Sequence, residues 1–210
     1  MTSSMNDTPH PLVTADEALH RLIEGNTRYR RGHSRFTGLR PEMLEELAHG
    51  QQPFATILGC ADSRVPPELI FDAVLGELFV IRVAGHVVSP EIAGSLQYAG
   101  THLQTPLFMV LGHEGCGAVK AALDSRMHGA QHRPRMEHLV DAIGSGLPDV
   151  DPAITPEAQL SRMVEANVRW TMRQIAESPG GRARLEAGRV MLVGAIYDLT
   201  NGRVRLLDVV

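Results

Sequence analysis

Three features of the chain predict an α/β fold: a central, mostly parallel sheet of four strands plus an antiparallel edge strand, flanked by helices. Four short apolar runs, 54–59, 78–83, 107–112 and 189–195, are nearly continuous rather than alternating, the pattern of strands buried on both faces. The stretches between them carry helical spacing. Near the end, Asn201-Gly202 lies between apolar runs and reads as a tight turn into a last strand over 203–209, which makes that strand antiparallel.

The elements follow in order. Residues 1–13 are polar with two prolines and read as a loose tail, leaving a single domain over 14–210. Thr14 and Glu17 form a capping box, and Ala18, Leu19, Leu22 and Ile23 continue at helical spacing to about Arg30. A short helix starts near Pro41. Helical segments are expected over 65–72, 90–103 and 115–124, and from Pro156 to about Ala176, where Thr155-Pro156 supplies an N-cap and a first-turn proline. Residues 125–154 show no clean period and read as a long loop with at most one turn of helix.

Composition narrows the class of function. The chain has 210 residues, 43% apolar and 21% charged, enough to bury a core without disulfide or metal support. A net charge of −4 argues against a nucleic-acid partner, which calls for a basic excess. No apolar run approaches the ~20 residues of a membrane span, and the first 13 residues lack the basic and apolar regions of a secretory signal. A cytoplasmic location is expected, where disulfides are rare.

The two cysteines, Cys60 and Cys116, each follow an apolar strand. In open α/β sheets, sites form beyond the carboxyl ends of the strands. Around them stand Cys60-Ala61-Asp62-Ser63-Arg64 and His113-Glu114-Gly115-Cys116-Gly117. Two thiolates and an imidazole suit zinc, and three protein ligands leave a fourth position open. On the residues alone, a metal site and a pair of inert buried thiols both stand, and no reaction is specified. His128, His132 and His138 read as solvated surface imidazoles.

The two clusters, about fifty residues apart, resemble the paired Cys-x-Asp-x-Arg and His-x-x-Cys signatures of the β-class carbonic anhydrases, the plant-type subgroup in particular. The likeness continues through Val65–Glu68, Gly76–Gly85 and Gly94–Ala99. It implies Zn²⁺ on Cys60, His113 and Cys116, hydration of CO2 to bicarbonate, and a homodimer or tetramer with the active site near the dimer interface. It also implies that Asp62 and Arg64 are catalytic, and that Gln51, Phe79, Ala84, Tyr98 and Gly117 line the substrate pocket. Two departures, His86 where many members have Asn and Ala84 where plant-type members have a larger residue, bear on pocket shape.

In that reading two thiolates cancel the formal charge of the ion, so its water ionises at higher pH than on three imidazoles, above ~7. Arg64 holds Asp62 off the metal, and Asp62 aims the zinc-bound hydroxide at CO2. Some bacterial members have a closed form with a Trp, Arg and Tyr bicarbonate site. Here Arg82 and Tyr197 stand at two of those positions but Ile57 at the third, so an open form is expected. The alternatives are a COS or CS2 hydrolase of the same fold, and a non-catalytic zinc module for assembly.

Overall fold

The computed structural model describes residues 13–35 and 41–210, so the expected tail lies, Val13 apart, outside the described residues. Helix α1, Ala15–Arg30, begins where expected, with the Thr14 hydroxyl accepting from Glu17 N at 3.2 Å. After α2, Pro41–Ala48, the chain enters β1, Ala55–Gly59, every residue of which is buried. The short α3, Pro67–Ile70, leads to β2, Leu78–Arg82, and a 3-10 turn over Ala84–His86 leads to α4, Pro90–Tyr98. Helix α4 runs on into a π-helical turn, Ala99–Leu103. Then come β3, Leu107–His113, also wholly buried, and α5, Gly117–His128. Helix α6 spans Pro134–Gly144, α7 Pro156–Glu177 and α8 Pro179–Glu186. Strands β4, Met191–Tyr197, and β5, Val204–Val209, close the fold.

The sheet order is β2-β1-β3-β4-β5, with β1 parallel to β2 and β3, β3 parallel to β4, and β4 antiparallel to β5. Four parallel strands and one antiparallel edge strand are as expected; the strand order is the structure's own. From β1 the chain moves outward to β2 and then returns to place β3 on β1's other side. The crevice between the carboxyl ends of β1 and β3 is therefore the switch point, where open α/β sheets bind ligands. Cys60 leaves β1 at that crevice and His113 ends β3 there.

Helix α7 lies close on the sheet because two strand residues lack side chains. A Cβ on Gly112 would come 2.6 Å from Val168 Cγ2, and one on Gly194 would come 2.4 Å from Met172 Sδ. Buried Asn26 ties α1 to the opposite end of the chain. Its amide donates to Ile70 O at 3.2 Å and Gly202 O at 2.8 Å, and its oxygen accepts from Val204 N at 3.0 Å.

Two expectations need correction. Residues 125–154 are not a loop with a single helical turn: α6 has 11 residues, started by Pro134 and packed through Val140 and Ile143. The fourth strand runs from Met191 to Tyr197, two residues later than its apolar run suggests, and α8 precedes it.

Candidate metal centre

The structure brings Cys60, His113 and Cys116 together, with their ligand atoms all within 4.8 Å of one another. All three are buried, at 5%, 1% and 2% exposure. Strand pairing aligns Gly59 of β1 with Leu111 of β3, which sets Cys60 across from the end of β3. The next three residues turn back through Gly115, at φ 64, so that Cys116 caps the N-terminus of α5. The two cysteines carry no disulfide.

The donor set fits a zinc ion. His113 Nδ1 lies 3.0 Å from the carbonyl of Glu114 and must carry the proton to bond it, leaving the Nε2 lone pair free. That Nε2 is buried and has no hydrogen-bond partner, a costly state for a polar atom unless it ligates something. The hydrogen bond from Cys116 holds the Cys60 thiol far below its ordinary value, and the same bond and burial push Cys116 up. Gly85 N also donates to Cys60 Sγ at 3.4 Å.

Beside the trio, Asp62 is held by Arg64 through a two-pronged contact. Arg64 Nε donates to Oδ1 at 3.0 Å, its terminal nitrogen to Oδ2 at 2.8 Å, and its backbone N–H to Oδ1 at 3.0 Å. The Arg64 guanidinium holds the Asp62 carboxyl well below the usual carboxylate range. Asp62 Oδ2 stays 3.9 Å from His113 Nε2. The loop is braced from behind by Arg82, which donates to Cys60 O at 3.0 Å and Asp62 O at 2.6 Å. Tyr197 pairs with the Tyr29 hydroxyl at 3.0 Å, and Ile57 is fully buried in β1.

The other expected pocket residues divide. Ala84 opens the turn whose next N–H meets Cys60, and Gly117 begins α5 directly after Cys116. Phe79 and Tyr98 pack on each other with ring centroids 5.9 Å apart, and Tyr98 is stacked on His102. Among the described residues, no hydrogen bond or ring contact joins them or exposed Gln51 to the thiols. His86 does not face the cleft; it is 1% exposed, between the sheet and α7. His132 is half-buried and bonded to Ser125 Oγ at 3.0 Å, while His128 and His138 are exposed. Sequence reasoning missed Gly85 and Arg82 as partners of the Cys60 loop. The run Arg82-Val83-Ala84-Gly85 was the available signal, since a glycine just after a strand marks a close backbone approach.

Fold and site together define an open α/β protein with a buried Cys/His/Cys centre at its switch point. The chain belongs to the carbonic anhydrase family, whose profile matches residues 55–204, and within it to the β class. It is 38% identical over 195 residues to carbonic anhydrase 2 of Mycobacterium tuberculosis, covering 89% of this chain and 90% of that protein. The carbonic anhydrase of Mycolicibacterium smegmatis is 36% identical, covering 88% and 89%. Among solved structures, the β-carbonic anhydrase CcaA is 29% identical with a TM-score of 0.72, covering 90% of this chain and 87% of that one. The tetrameric β-carbonic anhydrases of Sordaria macrospora share the fold at 22% identity and a TM-score of 0.73, covering 91% and 98%. The chain is thus a carbonic anhydrase, an enzyme of CO2 hydration.

Proposed function

We propose that the reversible hydration of CO2 to bicarbonate and a proton takes place at a zinc ion held by Cys60, His113 and Cys116, with Asp62 and Arg64 orienting the reacting water. The observation that carries this is the convergence of three buried ligand atoms, one of them an unpartnered His113 Nε2, beside a clamped carboxylate. Zinc on three side chains keeps a fourth position for water and acidifies that water toward neutral pH.

The chain's own residues do the rest. Arg64 fixes Asp62 in one plane and spends its donors on both carboxylate oxygens, so Asp62 is held away from the ligand set. Oδ1 accepts from both Arg64 Nε and Arg64 N, whereas Oδ2 accepts from Arg64 only once and keeps a lone pair. Asp62 is ionised at neutral pH, and Arg64 lowers its pKa further. Asp62 therefore acts only as a hydrogen-bond acceptor. It takes the water's proton-bearing side and turns the oxygen lone pair toward CO2. This is the open arrangement. Arg82, occupied with two main-chain carbonyls, and Ile57, with no side-chain N–H to offer, support the absence of a separate inhibitory bicarbonate site.

Phe79, Tyr98 and Gln51 complete the pocket from a second copy of the chain. The support is that Gln51 and Tyr98 are exposed, that Tyr98 packs on the half-buried Phe79 of edge strand β2, and that the Sordaria relatives are described as tetrameric. We assign all of this to a single domain over 14–210 and to the cytoplasm; no helix among the described residues is long and apolar enough to cross a membrane.

The test is reversible removal of metal. Stripping the purified protein with a zinc chelator should abolish CO2 hydration in stopped flow, and one equivalent of Zn²⁺ per chain should restore it. Full activity in the metal-free protein would overturn the assignment.

A further inference from the structure

Two thiolate ligands blunt the pull of a zinc ion, and groups that draw charge from the sulfurs restore it. The Gly85 N–H on Cys60 Sγ, at 3.4 Å, is one such group. The turn that delivers it is unfavourable by itself. Gly85 has φ 65, and His86 follows at φ 44, a region that residues with a Cβ seldom adopt. A neighbouring element must hold it there.

That element is α7. Asn167 Nδ2 donates to Gly85 O at 3.0 Å and lies 3.5 Å from His86 Nε2. One turn along the same helix face, Thr171 Oγ1 donates to His86 O at 3.3 Å and lies 3.3 Å from His86 Nδ1. A single tautomer satisfies the group. His86 Nδ1–H donates to Thr171, the Thr171 hydroxyl donates to the His86 carbonyl, and both Asn167 amide hydrogens are used, on Gly85 O and His86 Nε2. Each of the three residues is 1% exposed. Gly85 is itself boxed in: a Cβ there would come 2.6 Å from Ile143 Cδ1.

We infer that Asn167, Thr171 and His86 are positioning residues, through which α7 clamps the Ala84–His86 turn so that the Gly85 N–H stays aimed at the Cys60 sulfur. The inference rests on Cys60 being a metal ligand. In it, the long helix sets the electron-donating strength of one thiolate without touching the metal or the substrate.

The experiment uses the full-length chain loaded with Co²⁺ or Zn²⁺, as wild type, Thr171→Val, Asn167→Leu and Thr171→Ser. Valine and leucine keep approximate shape and remove the donor; serine keeps the hydroxyl. The readouts are metal content, the sulfur-to-cobalt charge-transfer band, and the pH profile of CO2 hydration by the zinc form. Thr171→Val and Asn167→Leu should retain one metal per chain and move the band to lower energy, since the sulfur loses a stabilising N–H. Their pH midpoint should rise by about half a unit and kcat at pH 7 should fall about 2- to 3-fold, with KM unchanged. Thr171→Ser should return both the band and the midpoint toward wild type. If the band and midpoint stay at wild-type values in both Thr171→Val and Asn167→Leu, the clamp is only structural and the inference is wrong. Either variant alone decides this should the other fail to fold. A wild-type cobalt form with no sulfur band at all would instead overturn the underlying ligand assignment.

Discussion

At the scale of single residues, Asp62 and Arg64 act as one unit, because every strong contact of the Asp62 carboxylate is with Arg64. Asp62→Asn and Arg64→Ala should each lower kcat/KM for CO2 about 10- to 100-fold with zinc retained. The double variant should be little worse than either alone. Parent rates in either single variant would reduce the pair to an ion pair of no catalytic consequence. His86 makes a separate prediction through pH. Burial depresses its pKa from 6.5 to about 4. The unfolded chain therefore binds this proton near pH 6.5 and the folded chain only near 4. The associated stability is complete above 6.5 and is lost as pH falls toward 4, by on the order of 3 kcal/mol. Urea unfolding at pH 7 and pH 5 should show a smaller acid loss in His86→Asn than in wild type. An equal loss would mean that another group governs it.

That Cys60, Asp62 and Arg64 share one loop, and His113 and Cys116 another, was legible in the sequence because each spacing is local. That the two loops meet was implied only by the family resemblance, and the structure brings the three ligand atoms together. The α7 clamp was not legible, because Asn167 and Thr171 sit at ordinary core positions of an amphipathic helix. Only the packing of α7 over the turn reveals their partners, more than eighty residues away in sequence.

Among elements, the sheet was read well where burial is two-sided. Strands β1 and β3 are buried throughout, so their apolar runs were unambiguous. The start of β4 was misplaced because Arg189 and Val190 belong to the connection from α8, which ends at Glu186 and turns through Ala187 and Gly188. Helix α6 was missed because His, Arg and Pro crowd its beginning, although Pro134 is well suited to a first turn. The contact of α7 on the sheet makes a further prediction. Gly112→Ala drives a Cβ toward Val168 and Ile196, at 2.6 and 2.9 Å, and should cost about 1–3 kcal/mol of stability in denaturant unfolding. An unchanged midpoint would show that α7 can move off the sheet freely. The anchor between α1 and α3 offers a second test at this scale. Asp72 is almost fully buried and accepts from Arg28, Ser34 and the Arg35 N–H at 2.6, 2.8 and 2.8 Å. Burial pushes its pKa up, but these donors outweigh that and leave it lowered from 3.8. Its stabilising contribution is therefore intact above pH 3.8 and declines below it. Asp72→Ala should lower stability at pH 7 while leaving zinc content unchanged. Loss of zinc in that variant would show that the anchor and the metal centre are coupled.

For the whole molecule, the parallel sheet places its switch point between β1 and β3, and the buried trio Cys60, His113 and Cys116 sits at that point. Residues of edge strand β2 and the exposed Tyr98 are left to meet a second copy. Sedimentation of the purified protein should therefore show a dimer or tetramer, and a monomer with full activity would contradict the shared pocket. The ligand set itself is tested most directly by zinc K-edge X-ray absorption on the wild-type enzyme near pH 8. Two sulfur scatterers at ~2.3 Å and two lighter ones near ~2.0 Å, one from His113 and one from solvent, are expected. A first shell without sulfur would contradict that ligand set.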